Sequence, residues 1–201
     1  MHSSLTLALF SFFVSVSFFL TSQPLLADPA EPRTNAQIQE SGQHYSGNLM
    51  LNQAAGNGMQ QANVRVINIG ELSRSAVQVQ QAMSSIAPES VGLNAAAQIE
   101  GASFSQGHGA LGVNQSSGLA NQSINVFRLT LSAMPENMDD SILSQNAAPT
   151  MNSDAVVPQQ GERRVETDDR AFAGSSGVVQ LNQSAGVGNR TANNLNISVM
   201  Q

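Results

Sequence analysis

One segment of this chain is written three times. Gly47 to Ile69 reads "GNLMLNQAAGNGMQQANVRVINI", Gly109 to Leu131 reads "GALGVNQSSGLANQSINVFRLTL", and Gly177 to Val199 reads "GVVQLNQSAGVGNRTANNLNISV". The copies align without a gap. Gly47, Gly109 and Gly177 match, as do Asn52, Asn114 and Asn182, then Gln53, Gln115 and Gln183, then Gly56, Gly118 and Gly186, and last Asn63, Asn125 and Asn193. Self-similarity of this kind constrains the fold more tightly than composition, because each copy takes the same local structure and can pair with the others. The leading residues agree more loosely: "AQIQ" at 36–39 returns as "AQIE" at 97–100, and an aromatic residue (Tyr45, Phe104, Phe172) precedes the first Gly. A full unit is thus about 35 residues, within the range of stacked-repeat architectures.

Within each unit the apolar residues alternate with period two, the signature of a strand. In the first arm Leu49 and Leu51 match Leu111 and Val113, then Val179 and Leu181; in the second, Ile67 and Ile69 match Leu129 and Leu131, then Ile197 and Val199. Between the arms lies Gly-rich polar sequence such as "AAGNGMQQ", where Gly and Asn tolerate the positive φ of a tight reversal. Each unit is therefore predicted as strand, turn, strand. A lone two-stranded piece is marginal in water, so the apolar row must be covered by a neighbouring copy. Copies laid in register pair their backbones at ~4.7 Å, and equivalent Asn and Gln side chains form amide ladders along the stack. The predicted fold class is all-β: strand-turn-strand repeats stacked as a small β-solenoid or as cross-β layers, joined by disordered linkers. The edges left open at either end recruit other chains, and such thin units can be largely disordered as a free monomer.

The intervening stretches differ in character. The predicted order is a signal peptide over 1–27, a flexible segment over 28–35, repeat 1 over 36–69, a linker over 70–96, repeat 2 over 97–131, a linker over 132–170 and repeat 3 over 171–201. Pro, Met and clustered acids make the linkers read as mobile, with a helical turn around Ala76 to Met83. The apolar run from about Leu5 to Leu20, followed by "PLLA" before Asp28, is of secretory signal length and shorter than the ~20 apolar residues a membrane helix needs.

Composition then removes whole classes of activity. With no Cys there is no thiol chemistry, disulfide or Cys-based metal site. A net charge of −6 and eight scattered basic residues, all Arg, argue against nucleic-acid binding. His44 and His108 lie shortly before a repeat Gly without acidic or Cys partners at ligand spacing. The acids at 139–140 and 166–169 lack the punctuation of a calcium loop. No Ser-His-acid set is recognisable, and "GNGMQQ" lacks the Lys-Ser/Thr of a phosphate loop. "NQS" at 121–123 and 182–184 and "NIS" at 196–198 read as coincidental acceptor motifs. The expectation is a non-enzyme with no metal, no cofactor and no small-molecule substrate.

The pattern Gly-x-x-x-(Val/Leu)-Asn-Gln-(Ala/Ser)-(Ala/Ser)-Gly, followed by a Gln/Asn-rich turn and "AN" or "IN", resembles the repeats of the Fap functional-amyloid system of biofilm-forming bacteria. The resemblance covers all three repeats and the order signal, repeat, linker, repeat, linker, repeat. It implies a system with a main fibre subunit, a nucleating minor subunit, an accessory protein and an outer-membrane secretion pore. Fibre-forming members are expected to carry a C-terminal Cys-x-x-Cys; this chain ends "NNLNISVMQ", so the resemblance is nearest to the accessory member, a periplasmic or fibre-associated modulator with chaperone-like activity.

Each repeat also carries one Arg (Arg65, Arg128, Arg190) at a different aligned position, which avoids stacking like charges and suits gatekeepers against indiscriminate aggregation. The third repeat replaces Val64 and Val126 by Asn194. The leading expectation is an exported accessory component that engages fibre subunits by β-strand addition, its stacking and contact residues being the aligned Leu, Val, Ile, Asn, Gln and Gly positions named above. The alternatives are a self-polymerising subunit or nucleator, and a folded β-solenoid adhesin.

Overall fold

A computed structural model describes residues 32–70, 77–83, 92–132, 143–147 and 161–200, all within one compact unit, Glu31–Gln201. The reading of 1–27 as a signal peptide falls outside the described residues, and so do the acids at 139–140. The described residues form eleven β-strands and no helix. They are β1 (Arg33–Gln39), β2 (Ser46–Ala55), β3 (Gln60–Ile69), β4 (Val79–Met83), β5 (Asn94–Glu100), β6 (His108–Leu119), β7 (Gln122–Ser132), β8 (Leu143–Ala147), β9 (Arg163–Thr167), β10 (Ser176–Val187) and β11 (Arg190–Met200).

The strands form three horizontal rungs. β1, β2, β3 and β4 make the first rung, β5 to β8 the second, and β9, β10 and β11 the third. Vertically they pair as four parallel sheets with orders β1-β5-β9, β2-β6-β10, β3-β7-β11 and β4-β8. The second rung is therefore central in each three-stranded sheet. Register is one-to-one: Asn52↔Asn114↔Asn182 and Gln53↔Gln115↔Gln183 in the second sheet, Asn63↔Asn125↔Asn193 in the third.

The sheets stack face to face, with the chain running through them as a serpentine. Gln115 Nε2, on β6, donates to the Ala36 and Gln98 carbonyls of the first sheet at 3.0 and 2.8 Å, while Asn114 Nδ2 donates to the Ala62 carbonyl of the third at 2.9 Å. Consecutive residues of β6 thus face opposite neighbours, as strand geometry requires. With both faces covered and a rung on either side, positions 111–118 are all buried. The first interface holds Ile38, Ile99, Leu111, Val113 and Phe104; the third and fourth sheets close over Ile124, Val126 and Val77. Of the two packings open at the sequence level, the described residues form cross-β layers.

Glycine makes the second reversal possible. Gly118 has φ +116, and an added Cβ would land on the Gly186 carbonyl of the next rung; a Cβ at Gly56 would land on that of Gly118. Only a residue without Cβ admits this backbone and this approach.

The linkers contribute more than expected. Of the segment expected to make a helical turn, the described residues 77–83 form no helix and Val79–Met83 is strand β4 instead. Val77, Val79 and Gln81 alternate toward the third sheet, with Val77 and Gln81 buried, and Gln81 Nε2 reaches the Ser123 carbonyl at 3.3 Å. β8 pairs with β4 from within 132–170. β9 also lies in that stretch and completes the first sheet, so each rung has three strands where the repeats alone read as two, and the first two rungs have a fourth. This pairing explains Asn194. The fourth sheet spans the first two rungs, where Val64 and Val126 pack beneath it, whereas Asn194 is exposed.

The aromatic residues sort differently from their sequence alignment. Phe104 and Phe172 stack with centroids 5.4 Å apart, but the first-rung position facing Phe104 is Gly42, where an added Cβ would sit 2.6 Å from the Phe104 ring. Tyr45 lies three residues further on, over Gly107. Gly42, Phe104 and Phe172 share a left-handed backbone, φ 68, 59 and 61. For Phe this costs about 1–2 kcal/mol, which burying the Phe104 ring at 1% exposure more than offsets.

Candidate functional site: the amide files and the open end rungs

The aligned polar residues converge in three vertical files. In the first, Asn114 Nδ2 donates to Asn52 Oδ1 and Asn182 Nδ2 to Asn114 Oδ1, both at 2.9 Å. In the second, Gln115 Nε2 donates to Gln53 Oε1 and Gln183 Nε2 to Gln115 Oε1, both at 2.8 Å. In the third, Asn125 Nδ2 donates to Asn63 Oδ1 at 2.9 Å and Asn193 Nδ2 to Asn125 Oδ1 at 3.0 Å. The first and third files face each other between two sheets and cross-link: Asn63 bonds Asn52, Asn125 bonds Asn114 and Asn193 bonds Asn182 at 2.8–3.1 Å. The amides also take up strand carbonyls, as Asn193 does with Leu181 and Gln183 with Ala97. In the central rung Asn114, Gln115 and Asn125 are each satisfied by their own kind in the rung on either side, so the network favours the same residue at each level. Gln60 and Gln122 form a shorter file, at 2.8 Å, that sequence alignment missed; Arg190 takes the third place.

The apolar files divide. Leu49, Leu111 and Val179, and Leu51, Val113 and Leu181, line the first interface; Leu111 and Val113 are buried, while Val179 in the end rung is 43% exposed. The second-arm residues also stand in register, Ile67 with Leu129 and Ile197, and Ile69 with Leu131 and Val199, but outside the core. Ile67 is 50% exposed and Ile69 71%. Contacts across the interface run from Gln61 with Gln53 to Arg65 with Asn48, so Ile67 comes opposite Ser46 and Gly47, which offer no bulk, and Ile69 lies beyond the start of β2. The core of this strand is its other face, Ala62, Val64 and Val66.

The three arginines occupy three settings. Arg65 lies over the Phe127 ring at 5.3 Å and donates to the Ala110 carbonyl at 2.9 Å; burial lowers its pKa. Arg128 is an interior residue, not a surface gatekeeper, at 2% exposure with a 3.4 Å contact to the Val77 carbonyl. Arg190 is exposed at the end rung. Their register partners are Phe127, Val66 with Asn196, and Gln122 respectively, so no two stack.

At the first reversal, Glu40, Glu100, Glu166, Asp168 and Asp169 border an open groove of about 510 Å³ with Arg170. Hydrogen bonds from the Arg170 side chain and backbone hold the Asp168 carboxyl well below the usual carboxylate range. Among the described residues no His, Cys, Asp and Glu group has metal-holding geometry. His108 Nδ1 pairs with Ser176 Oγ at 2.8 Å.

Among the described residues, what remains chemically unfinished is the pair of outer faces: the backbone edges of β1, β2 and β3 on one side and of β9, β10 and β11 on the other. Parallel in-register rungs, laddered side chains of one type and, among the described residues, two outer rungs without a further strand define an amyloid-type repeat protein. The model of the functional amyloid protein FapB/FapC family matches residues 21–200, and the chain belongs to that family, a structural rather than catalytic one. No solved structure matches it.

Proposed function

We propose that the chain adds its outer rungs to equivalent rungs of a like chain, and that it is a self-stacking component of a Fap-type fibre. One observation carries this reading: the first and third rungs repeat each other at the positions through which the second rung holds both. Asn52 and Asn182, Gln53 and Gln183, Asn63 and Asn193, and Leu51 and Leu181 each stand in one file with the same central residue. A face that binds the second rung has the groups to bind another copy's outer rung by strand addition. Export through an N-terminal signal and an outer-membrane secretion pore, and a place in a biofilm matrix, belong to this reading.

A second reading keeps the chain as the accessory, FapA-like modulator of other fibre subunits. It is favoured by the mismatch between the outer rungs at the first reversal, where the first rung has Gly42 in the file of Phe104 and Phe172, and Tyr45 where the third has Ser175. A molecule with one imperfect end can cap a growing stack. Thioflavin kinetics of the purified protein separate the two. Fibres that seed further growth of the same protein support the subunit; a soluble chain that slows a partner subunit at substoichiometric ratio supports the modulator. A cooperative monomer indifferent to both sinks the proposal.

A further inference from the structure

The amide files have a direction. In each amide-to-amide bond between rungs the NH2 belongs to the later rung and the oxygen to the earlier one: Asn114 to Asn52, Asn182 to Asn114 and to Asn125, Gln115 to Gln53, Gln183 to Gln115, Gln122 to Gln60, Asn125 to Asn63 and Asn193 to Asn125. A primary amide has its donors on one atom and its acceptor on the other. A file at strand spacing is satisfied only when all members point the same way, since a reversed member sets NH2 against NH2 or oxygen against oxygen. The outer rungs therefore differ in chemistry although their residues match. Among the described residues Asn52 Nδ2 donates to no group, and Asn193 Oδ1 accepts from none. One end offers N–H, the other oxygen.

Resting on the self-stacking reading above, we infer that copies join in one polarity: the third rung of one molecule receives the first rung of the next. The occupant of each open face is a second copy of this chain. Register continues across the joint, setting Asn52 on Asn182, Gln53 on Gln183, Asn63 on Asn193 and Leu49 on Val179. At the start of the first sheet Arg33 shares a file with Asn94, next to which Glu162 lies in the third rung; stacking brings Arg33 onto Glu162. Such a contact joins two different faces and does not close, so it elongates.

The test uses two variants of the full chain, Leu49→Lys and Val179→Lys. Each places an ammonium in one outer face of the same file, its stem still covering Leu111. Polarity predicts that each alone stays monomeric in sedimentation, because every joint needs one intact face of each kind. A 1:1 mixture doubles in mass and stops there, the intact third rung of Leu49→Lys holding the intact first rung of Val179→Lys. If Leu49→Lys fails to fold, Asn52→Asp blocks the same face while keeping the oxygens that accept from Asn114 and Asn63. A homodimer of either variant, or a mixture that stays monomeric while the unmodified protein stacks, overturns the polarity alone. An unmodified protein that never stacks removes the fibre reading itself.

Discussion

Asn114→Asp places the sharpest demand on the amide files. Asn114 is fully buried; its Nδ2 donates to Asn52 Oδ1 and the Ala62 carbonyl at 2.9 Å, and its Oδ1 accepts from Asn182 at 2.9 Å and Asn125 at 3.1 Å. The substitution keeps both acceptances and loses both donations. Two lost bonds cost about 1 kcal/mol each, and the Ala62 carbonyl, left without this partner, adds about 1–3 kcal/mol. A carboxylate oxygen then faces two other oxygens, and burial adds to the cost. At neutral pH the total is about 4–6 kcal/mol, comparable with the whole stability of a small domain. The pH dependence has a definite sign. Burial and the facing oxygens raise the folded-state carboxyl pKa above its unfolded value of roughly 3.9. The penalty is therefore smallest below that value, where the protonated acid restores one donor, and grows as pH rises toward the folded-state value. Asn52→Asp removes no donation within the molecule and is expected to cost under about 1 kcal/mol. Urea unfolding followed by far-UV circular dichroism at pH 3.5 and 7 measures both. Equal midpoints for the two variants at pH 7, or an Asn114→Asp penalty that shrinks as pH rises, would refute the reasoning.

Three more outcomes follow from the geometry. Gly118→Ala drives a methyl into the Gly186 carbonyl and should lower stability by at least about 3 kcal/mol, whereas Gly47→Ala, at φ +84 with open space around it, should cost about 1–2 kcal/mol; thermal melts compare them. Phe104→Ala empties the stacked ring site and should cost about 3–5 kcal/mol, read from denaturant midpoints. Asp168 should stay ionised well below pH 3.8, so the stabilisation from its Arg170 pair is present above the ordinary carboxylate value and lost only as pH falls through the lowered one. A carboxyl titration by NMR checks this, and Arg170→Gln should return the value toward normal.

The three-rung register was legible because the repeats carry one-to-one Asn, Gln and Gly spacing, and in-register pairing needs no further information. What stayed hidden lacked a repeated partner. β4 and β8 pair with each other from spacers that share no motif, so periodicity of Val77, Val79 and Gln81 was the one signal available. β9 reads "RRVET", exposed throughout, with charges where its partners have Ala and Gln. The distance from Thr167 to Phe172 equals that from Ile99 to Phe104 and could have found it. Ile67 and Ile69 obey the strand alternation yet face the wrong way for burial, because alternation marks two faces and only cross-sheet contacts say which is covered. Arg128 likewise gave no sign in the sequence of lying inside.

Near-duplicate repeats carry a hazard of their own: any copy could settle beside any other. The complementary ring and glycine positions supply each level with an address. Tyr45 fits against Gly107, while Ser175 at the same height in the third level carries the Cβ that Gly107 lacks. A chain that shuffled its levels would meet this misfit at once, so a single phenol helps the sequence count its own storeys in order.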